Sequence, residues 1–461
     1  MENNLPKGWR EALLENVADA RMGETILAKD LTKSGIPVYS AGQDNAPWGF
    51  LEKPKKIHSK GTIVVSARGS IGFPKIPDND HFASTQTTIA LKLRDENLTS
   101  FCCLWLKTIN WDELTKGGAI PMLTVGDINK LVMPLPPEKE RERILSKLKA
   151  LLPKVKDAQS RLDKIPTILG RFRQSVFAAA FSGELTKEWR AKNSSYIAND
   201  DLNFIKDFIL KSKITNREKK VFEEINKACL DPYKEQFVVP LSWKAYCIGM
   251  VGLVNNGSTP SRKIAGYWNG SIPWISSGEV RNNIISESRE KITQKGLDDC
   301  SSKLFPSGTV LIAMIGEGKT RGQSAILNID AAINQNIAAI QISHGRVNPE
   351  YLWFWFQFQY ENNRNYGSGS GPQALNCQRV RELPFVLAPK AEQDEIVKKI
   401  KLSFDEIDGF IDRYRKANDY TDKLEQSILA KAFRGELVFR DPNGKPVAEL
   451  LKKIVDKKHL T

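Results

Sequence analysis

The sequence predicts a mixed α/β (α+β) protein. Two globules are separated by a pair of long antiparallel coiled-coil helices, and the whole carries an internal pseudo-twofold repeat. Three observations predict it: colinear self-similarity between the two halves, clusters of short β-like runs broken by turn residues, and a heptad seam in the same phase in both copies.

The repeat comes first. Pro6-Lys-Gly-Trp9 is matched by Pro240-Leu-Ser-Trp243 at an offset of 234, and Ile36-Pro-Val-Tyr-Ser-Ala-Gly42 by Ile272-Pro-Trp-Ile-Ser-Ser-Gly278 at 236. Gly61-Thr-Ile-Val-Val-Ser-Ala67 matches Gly308-Thr-Val-Leu-Ile-Ala-Met314 at 247, and Gln86 matches Gln335 at 249. From Ile128 and Val380 onward the offset holds at 252, through Gln174–Leu185 and Gln426–Leu437. The order never breaks and the offset only grows. Duplication and later insertion, mostly between Gly278 and Gly308, produce that pattern.

In chain order, residues 1–137 form the first globule. Its short apolar runs, such as Ile63–Ser66, are separated by Gly, Pro, Asn and Ser, as strands and turns require. Residues 138–185 form a helical spacer. Ile144, Leu148, Leu151, Val155, Ala158, Leu162, Ile165, Leu169, Phe172, Val176 and Ala179 step alternately by four and three. Pro153 and Pro166 are expected to kink or break it. Residues 186–238 are a basic linker with a helical segment around 201–228. Residues 239–388 repeat the globule, with a strand at 310–315 and an aromatic helix at 351–358. Residues 389–437 repeat the spacer without prolines in its middle, carrying Ile396, Ile400, Ile407, Phe410, Tyr414, Leu424 and Ile428 in the seam. Residues 438–461 are a basic tail with a helix at 447–455. Gly183 and Gly435 end the spacers as left-handed C-caps. Each spacer finds its partner most economically in the other. Some 40 residues at ~1.5 Å each span on the order of 60 Å, so an antiparallel pair would place the globules at opposite ends.

Composition narrows the function. The 461 residues carry 41% hydrophobic and 26% charged side chains, as globular domains do, and no run resembles a membrane span or a signal peptide. Net charge is +14, which favours an anionic partner such as nucleic acid. The six cysteines form no CxxC pair and the four histidines are scattered, so a His/Cys metal site is not expected, and the thiols fit a reducing cytoplasm.

No catalytic constellation stands out. Ala313-Met-Ile-Gly-Glu-Gly-Lys-Thr320 fits a relaxed phosphate-loop pattern after a strand, but residues 321–328 read as turn and strand instead of the helix that cradles phosphate. The motif reads better as a Gly-rich hairpin presenting Lys319 and Arg321. Methyltransferase, dinucleotide and nucleophile-elbow motifs are absent.

The polar turns are more informative. The first globule carries Ser40, Gln43, Asn45, Ser66, Arg68, Thr85, Gln86 and Thr87. The second carries Asn256, Ser258, Thr259, Arg262, Lys263, Ser276, Ser277, Lys319, Arg321, Gln323, Asn334, Gln335, Asn336 and Gln373. Arg matches guanine edges, Asn and Gln match adenine edges, and Lys and Ser suit phosphates. Parallel placement with little identity is what two similar scaffolds reading different bases would need.

Across nearly its whole length the chain resembles the DNA specificity subunit of type I restriction-modification systems. The resemblance is carried by Asn256-Gly-Ser-Thr-Pro260, Ile272-Pro-Trp-Ile-Ser276, Pro389–Gln393, Ile165–Ser175 and the twice-occurring Gln-Ser…Ala-Phe-x-Gly-Glu-Leu helix end. It implies that each globule is a target recognition domain on double-stranded DNA, and that the helices dock two modification (adenine methyltransferase) subunits, to which restriction subunits add. It also implies an asymmetric, bipartite target whose gap the spacer sets, with no cofactor in this chain and S-adenosylmethionine and ATP on the partners. The first copy departs from the pattern at Ala20–Thr25 and Pro137–Arg141. The competing expectations are a coiled-coil adaptor with two ligand-binding heads and a stand-alone DNA enzyme.

Overall fold

A computed structural model of the chain describes residues 5–115, 121–193, 198–228, 237–300, 302–316, 318–365, 375–439 and 447–458. They form two compact units. One comprises residues 1–164 with 413–461, and the other residues 165–412. The unit boundary is therefore not the repeat boundary. Each unit takes one globule, the start of that globule's own spacer, and the end of the other copy's.

In the first unit, strands Ala18–Met22, Thr88–Leu93, Thr62–Ser66 and Gly72–Lys75 form an antiparallel sheet in that spatial order. A second sheet orders Gly49–Leu51, Ile36–Tyr39, His81–Ser84 and His58–Ser59, with Ile36–Tyr39 parallel to His81–Ser84. The strands Thr62–Ser66 and Thr88–Leu93 are buried along nearly their whole length because both faces are covered. A ribbon of Arg10–Leu13 with Val132–Leu135 closes the globule where the chain enters and leaves it.

The second unit repeats the plan. Its larger sheet orders Leu253–Asn256, Ile337–Gln341, Val310–Ala313, Ser324–Leu327 and Asn283–Ile285. A smaller one holds Glu290–Ile292, Trp268–Ile275 and Ala332–Ile333, the last two strands parallel. The ribbon is Lys244–Cys247 with Pro384–Leu387. The helix Pro349–Phe358, almost wholly apolar after its first turn, is buried as expected among Phe177, Phe181 and Phe385.

The spacers pair antiparallel within each unit. In the first, Gln159 Nε2 donates to Asn418 Oδ1 at 2.7 Å, and Ile144 and Leu148 share a core with Leu429 and Phe433. In the second, Arg173 meets Asp408 at 2.5 Å and Phe177 meets Phe404 at 5.2 Å between centroids. The first-copy spacer breaks once, between Glu138–Leu162 and Ile165–Phe181, whereas the second-copy helix runs unbroken over Lys390–Phe433. Pro166 occupies the first turn of the new helix, where a missing N–H costs nothing. Pro153, expected to kink the helix, does not interrupt it. It and Lys149 are exposed, so water can take the carbonyl that proline leaves without a donor. Phe172 and Phe410 were assigned to the seam, yet they are 47% and 51% exposed. Gly183 and Gly435 adopt φ of 81° and 72°, the left-handed caps anticipated.

A buried carboxylate locks the start of each spacer. Glu392 accepts from Thr186 Oγ1 (2.7 Å), Arg190 Nη1 (2.6 Å) and Trp243 Nε1 (2.7 Å). Its counterpart Glu140 accepts from Trp9 Nε1 at 3.2 Å. The matched Pro-x-x-Trp and helix-start glutamate of the sequence are thus two halves of one joint.

The linker and tail carry helices where the sequence placed them, with two in the linker instead of one. Helices Ala198–Lys211 and Asn216–Ala228 bury Leu202, Ile205, Ile209, Phe222 and Ile225 in the second unit's core. Helix Val447–Lys458 puts Val447 and Ile454 into the first unit's core. Cys247 is disulfide-bonded, against the reading of the cysteines as thiols, while Cys102, Cys103, Cys300 and Cys377 are free.

One docking contact is pH-sensitive. Burial pushes the Glu218 carboxyl up, but the Lys303 ammonium and the Thr215 amide and hydroxyl outweigh it and hold it down to about 2. A depressed carboxylate stabilises the fold above its ordinary value of 4.5 and loses that effect as pH falls toward about 2. Amide exchange in Asn216–Ala228 should therefore quicken over that window. Glu218→Gln should exchange faster at neutral pH and lose the pH dependence, and an unchanged profile would contradict the assignment.

Candidate nucleic-acid interface

The topology gathers the polar turns chosen from sequence. In the first unit Met22 pairs with Ile89 and Ser66 with Thr88, so strands Ala18–Met22 and Thr62–Ser66 end where Thr88–Leu93 begins. The parallel pair Ile36–Tyr39 and His81–Ser84 ends at the same place, since Ser84 leads directly into that strand. Loops 23–26, 40–46, 67–71 and 85–87 therefore converge on one end of the globule. In the second unit Asn256 pairs with Ala338, Ala313 with Ile337 and Ile275 with Ile333, which gathers loops 257–260, 276–279, 314–323 and 334–336 in the same way.

Equivalent backbone bonds fix both ends. Thr85 N–H donates to Tyr39 O (3.0 Å) and Asn334 N–H to Ile275 O (3.0 Å). Ala67 N–H donates to Thr87 O (2.8 Å) and Met314 N–H to Asn336 O (2.9 Å). Leu123 N–H reaches Ala67 O (2.9 Å), as Leu375 N–H reaches Met314 O (3.0 Å). The departing loop 23–26 is equivalent too: Glu24 N–H binds Ser84 O at 2.9 Å where Ser258 N–H binds Ile333 O at 3.0 Å. Gly23 and Gly257 permit that approach. A β-carbon on either would lie 2.2 Å from Thr85 O or 1.8 Å from Ile333 O. Gln86 and Gln335 each pin this loop, accepting from Ile26 N–H (3.1 Å) and Thr259 Oγ1 (2.5 Å).

On this scaffold the candidates divide by burial. Gln43, Asn45 and Arg68 are the more open positions of the first unit, with Ser40, Gln86 and Thr87 half-buried. Ser66 and Thr85 are buried. Ser66 Oγ accepts from Gly42 N–H at 3.0 Å, and Thr85 Oγ1 donates to Ser40 Oγ at 3.1 Å, so both hydroxyls hold the 40–46 loop. In the second unit Asn256, Arg262, Lys263, Lys319 and Gln335 are exposed. Ser258, Thr259, Ser276, Ser277, Arg321 and Asn336 are half-buried. Asn334 is buried and accepts from Asn336 N–H at 3.1 Å, a turn-forming role. Gln323 lies in the 314–323 loop, and Gln373 lies outside the described residues.

Arg262 departs from expectation in its chemistry. Both terminal nitrogens of its fork pair with Glu290, one at 2.8 Å, and its plane lies 3.7 Å from the Trp268 ring centroid. The hydrogen bond to Glu290 raises the guanidinium pKa and lowers that of the carboxyl. The fork that would read guanine is already engaged, and Lys263 is the exposed cation beside it. The segment 313–323 joins strands Val310–Ala313 and Ser324–Leu327 as an antiparallel hairpin, which disposes of the phosphate-loop pattern. Burial pushes the Cys103 thiol up to about 11, and no cluster of three metal-ligating side chains occurs among the described residues.

Sequence reasoning missed Lys75. Its ammonium donates to the carbonyls of Asp44 (2.7 Å), Ser40 (3.0 Å) and Gly42 (3.4 Å), clamping the loop that carries Gln43 and Asn45. Burial lowers its pKa, opposed by Asp44. A lone lysine in Gly-Phe-Pro-Lys has no counterpart in the second copy, so the repeat gave no signal. Lys75→Met should weaken binding to DNA carrying the first unit's half-site roughly tenfold, the loss of about one strong charged hydrogen bond. Binding that is unchanged would remove the clamp from the account.

A family profile described as the type I restriction modification DNA specificity domain matches residues 6–166 and 240–408, one stretch in each copy. The chain belongs to this family. As in the rest of it, the role is DNA recognition, and the adaptor reading is not favoured. Among curated relatives, the type I restriction enzyme EcoDI specificity subunit of Escherichia coli is 27% identical over 350 residues, covering 72% of this chain and 69% of the relative. The EcoKI specificity subunit of Escherichia coli K12 is 25% identical over 94% of this chain and 90% of its own. In fold, a chain from a solved structure concerned with complex assembly and conformational transition of the type I R-M system superposes with a TM-score of 0.62 at 18% identity. It covers 94% of this chain and 100% of that one. Two specificity domains on one chain thus account for the repeat. No described helix is long and apolar enough to cross a membrane.

Proposed function

We propose that this specificity-family chain is a non-catalytic reader of an asymmetric, bipartite DNA target, and that it directs adenine methylation or restriction by partner subunits. Each unit's convergent loop end meets one half-site. Two modification subunits dock on the helices, restriction subunits add to that core, and S-adenosylmethionine and ATP bind on those partners. The observation that carries the reading is the pair of equivalent loop ends, held by matching backbone bonds yet different in their accessible side chains. The first presents Gln43, Asn45 and Arg68, and the second presents Asn256, Lys263, Lys319 and Gln335. Equal scaffolds with unequal side chains discriminate unequal sequences, at about 1–3 kcal/mol per mismatched base pair. Exposed Ile168, Phe172, Leu402 and Phe410 along the spacer helices support docking of a partner there.

The test is co-expression with the modification partner, with methylated bases then mapped. A split motif with methyladenine in each half is the expected result. Methylation that is absent, or confined to one uninterrupted motif, would overturn the proposal.

A further inference from the structure

A cavity of about 370 Å³ lies in the second unit between the linker helix Asn216–Ala228 and the strand Leu253–Asn256. Its wall carries three cations, Arg217, Lys303 and Arg381, and one carboxylate, Glu218. That carboxylate is committed: it accepts from Lys303 Nζ (2.7 Å), Asn255 Nδ2 (3.3 Å) and the Thr215 amide (2.9 Å). Arg381 is held half-buried by a bond from Nη2 to Val254 O (2.8 Å). Burial lowers its pKa, the nearby charge of Arg217 lowers it further, and Cys377 opposes them. Arg217 has no ion pair among the described residues. Two guanidiniums thus face one cavity with no acid left to neutralise them. Folding alone gains nothing from this arrangement, because like charges brought together in partly buried surroundings repel. Nor does the repeat require it, since the first copy has Asn129 where the second has Arg381. Gly249 keeps the space open; a β-carbon there would lie 3.0 Å from Arg381 Cβ.

We propose that this cavity is a phosphate seat, and that it takes a backbone phosphate of the DNA beside the second unit's loop end. The assignment to DNA rests on the reading of that loop end as DNA-facing, because Asn256, which opens the loop, also lines the cavity. The linker helix then belongs to the DNA-binding surface. Planar guanidiniums present paired donors that match phosphate oxygens. Such a contact strengthens binding without reading sequence.

The experiment measures affinity of the full chain for cognate and scrambled duplexes over a range of salt, for the wild type, Arg217→Glu and Arg217→Lys. Arg217 is exposed and outside the core, so these variants should fold. Arg217→Glu is expected to weaken both duplexes by the same factor, roughly five- to tenfold, and to lower the salt slope by about one, with Arg217→Lys close to wild type. A parallel titration with inorganic phosphate separates the sources. Phosphate binding that Arg217→Glu abolishes, with an unchanged DNA salt slope, would keep the seat and overturn its assignment to DNA. An unchanged slope with no phosphate binding would overturn the proposal entirely. Failure of the wild type to prefer its cognate duplex would instead count against the proposed function.

Discussion

Replacing Glu392 by alanine is expected to lower the melting temperature of the second unit by roughly 10 °C. The carboxylate is 1% exposed and joins the spacer's first turn to Thr186, Arg190 and the buried Trp243 indole. Removing it leaves a partly buried guanidinium and an indole N–H without their acceptor. Breaking such a pair from one side costs about 3–5 kcal/mol, and each kcal/mol moves a unit of this size by about 2–4 °C. Glu140→Ala removes a single 3.2 Å bond to Trp9 and should cost only about 1–2 kcal/mol. Calorimetry of the two variants would read the difference directly. If Glu392→Ala melted within about 2 °C of wild type, the joint would not be holding the spacer to the globule.

The second large effect is expected at Gly257. An alanine there would drive its β-carbon into the Ile333 carbonyl, 1.8 Å away, and backbone cannot swing aside as a side chain can. The loop 257–260 must leave the strand that holds it, losing the Ser258 N–H to Ile333 O bond and the Thr259–Gln335 contact. Overpacking of this kind costs about 1–3 kcal/mol, but its functional consequence is larger because the displaced loop carries the exposed contacts. Gly257→Ala should abolish discrimination in one half-site and leave the other intact, and Gly23→Ala should do the converse. Methylation assays on targets mutated in each half would show this. Retained discrimination at both halves in Gly257→Ala would separate the loop from recognition.

The duplication, the strands and the spacers were legible in the sequence because each leaves a periodic or colinear trace. The convergence of dispersed turns was legible only as a guess, since it depends on strand pairings such as Ser66 with Thr88 and Asn256 with Ala338. Ser66, Thr85 and Asn334 were placed on the DNA side because polar turn residues look alike whether they face water or hold the turn. The partner of Arg262 was hidden for a similar reason: Glu290 is 28 residues away, and nothing in the pattern announces their pairing. The antiparallel pairing of the spacers was legible as a seam shared by both copies, but which residues meet across it, such as Ile144 and Phe433, was not.

The central claim is that each unit's loop end reads its own half of a split target. The direct measurement replaces Leu14–Leu131 with the matching segment of a relative of different specificity. The cut lies just inside the ribbon Arg10–Leu13 with Val132–Leu135, so that the spacer joint is untouched. Methylated sites are then mapped for the chimera with its modification partner. The account predicts that one half-site changes to the donor's sequence while the other half is retained. A folded, active chimera in which both halves change, or neither does, would contradict it.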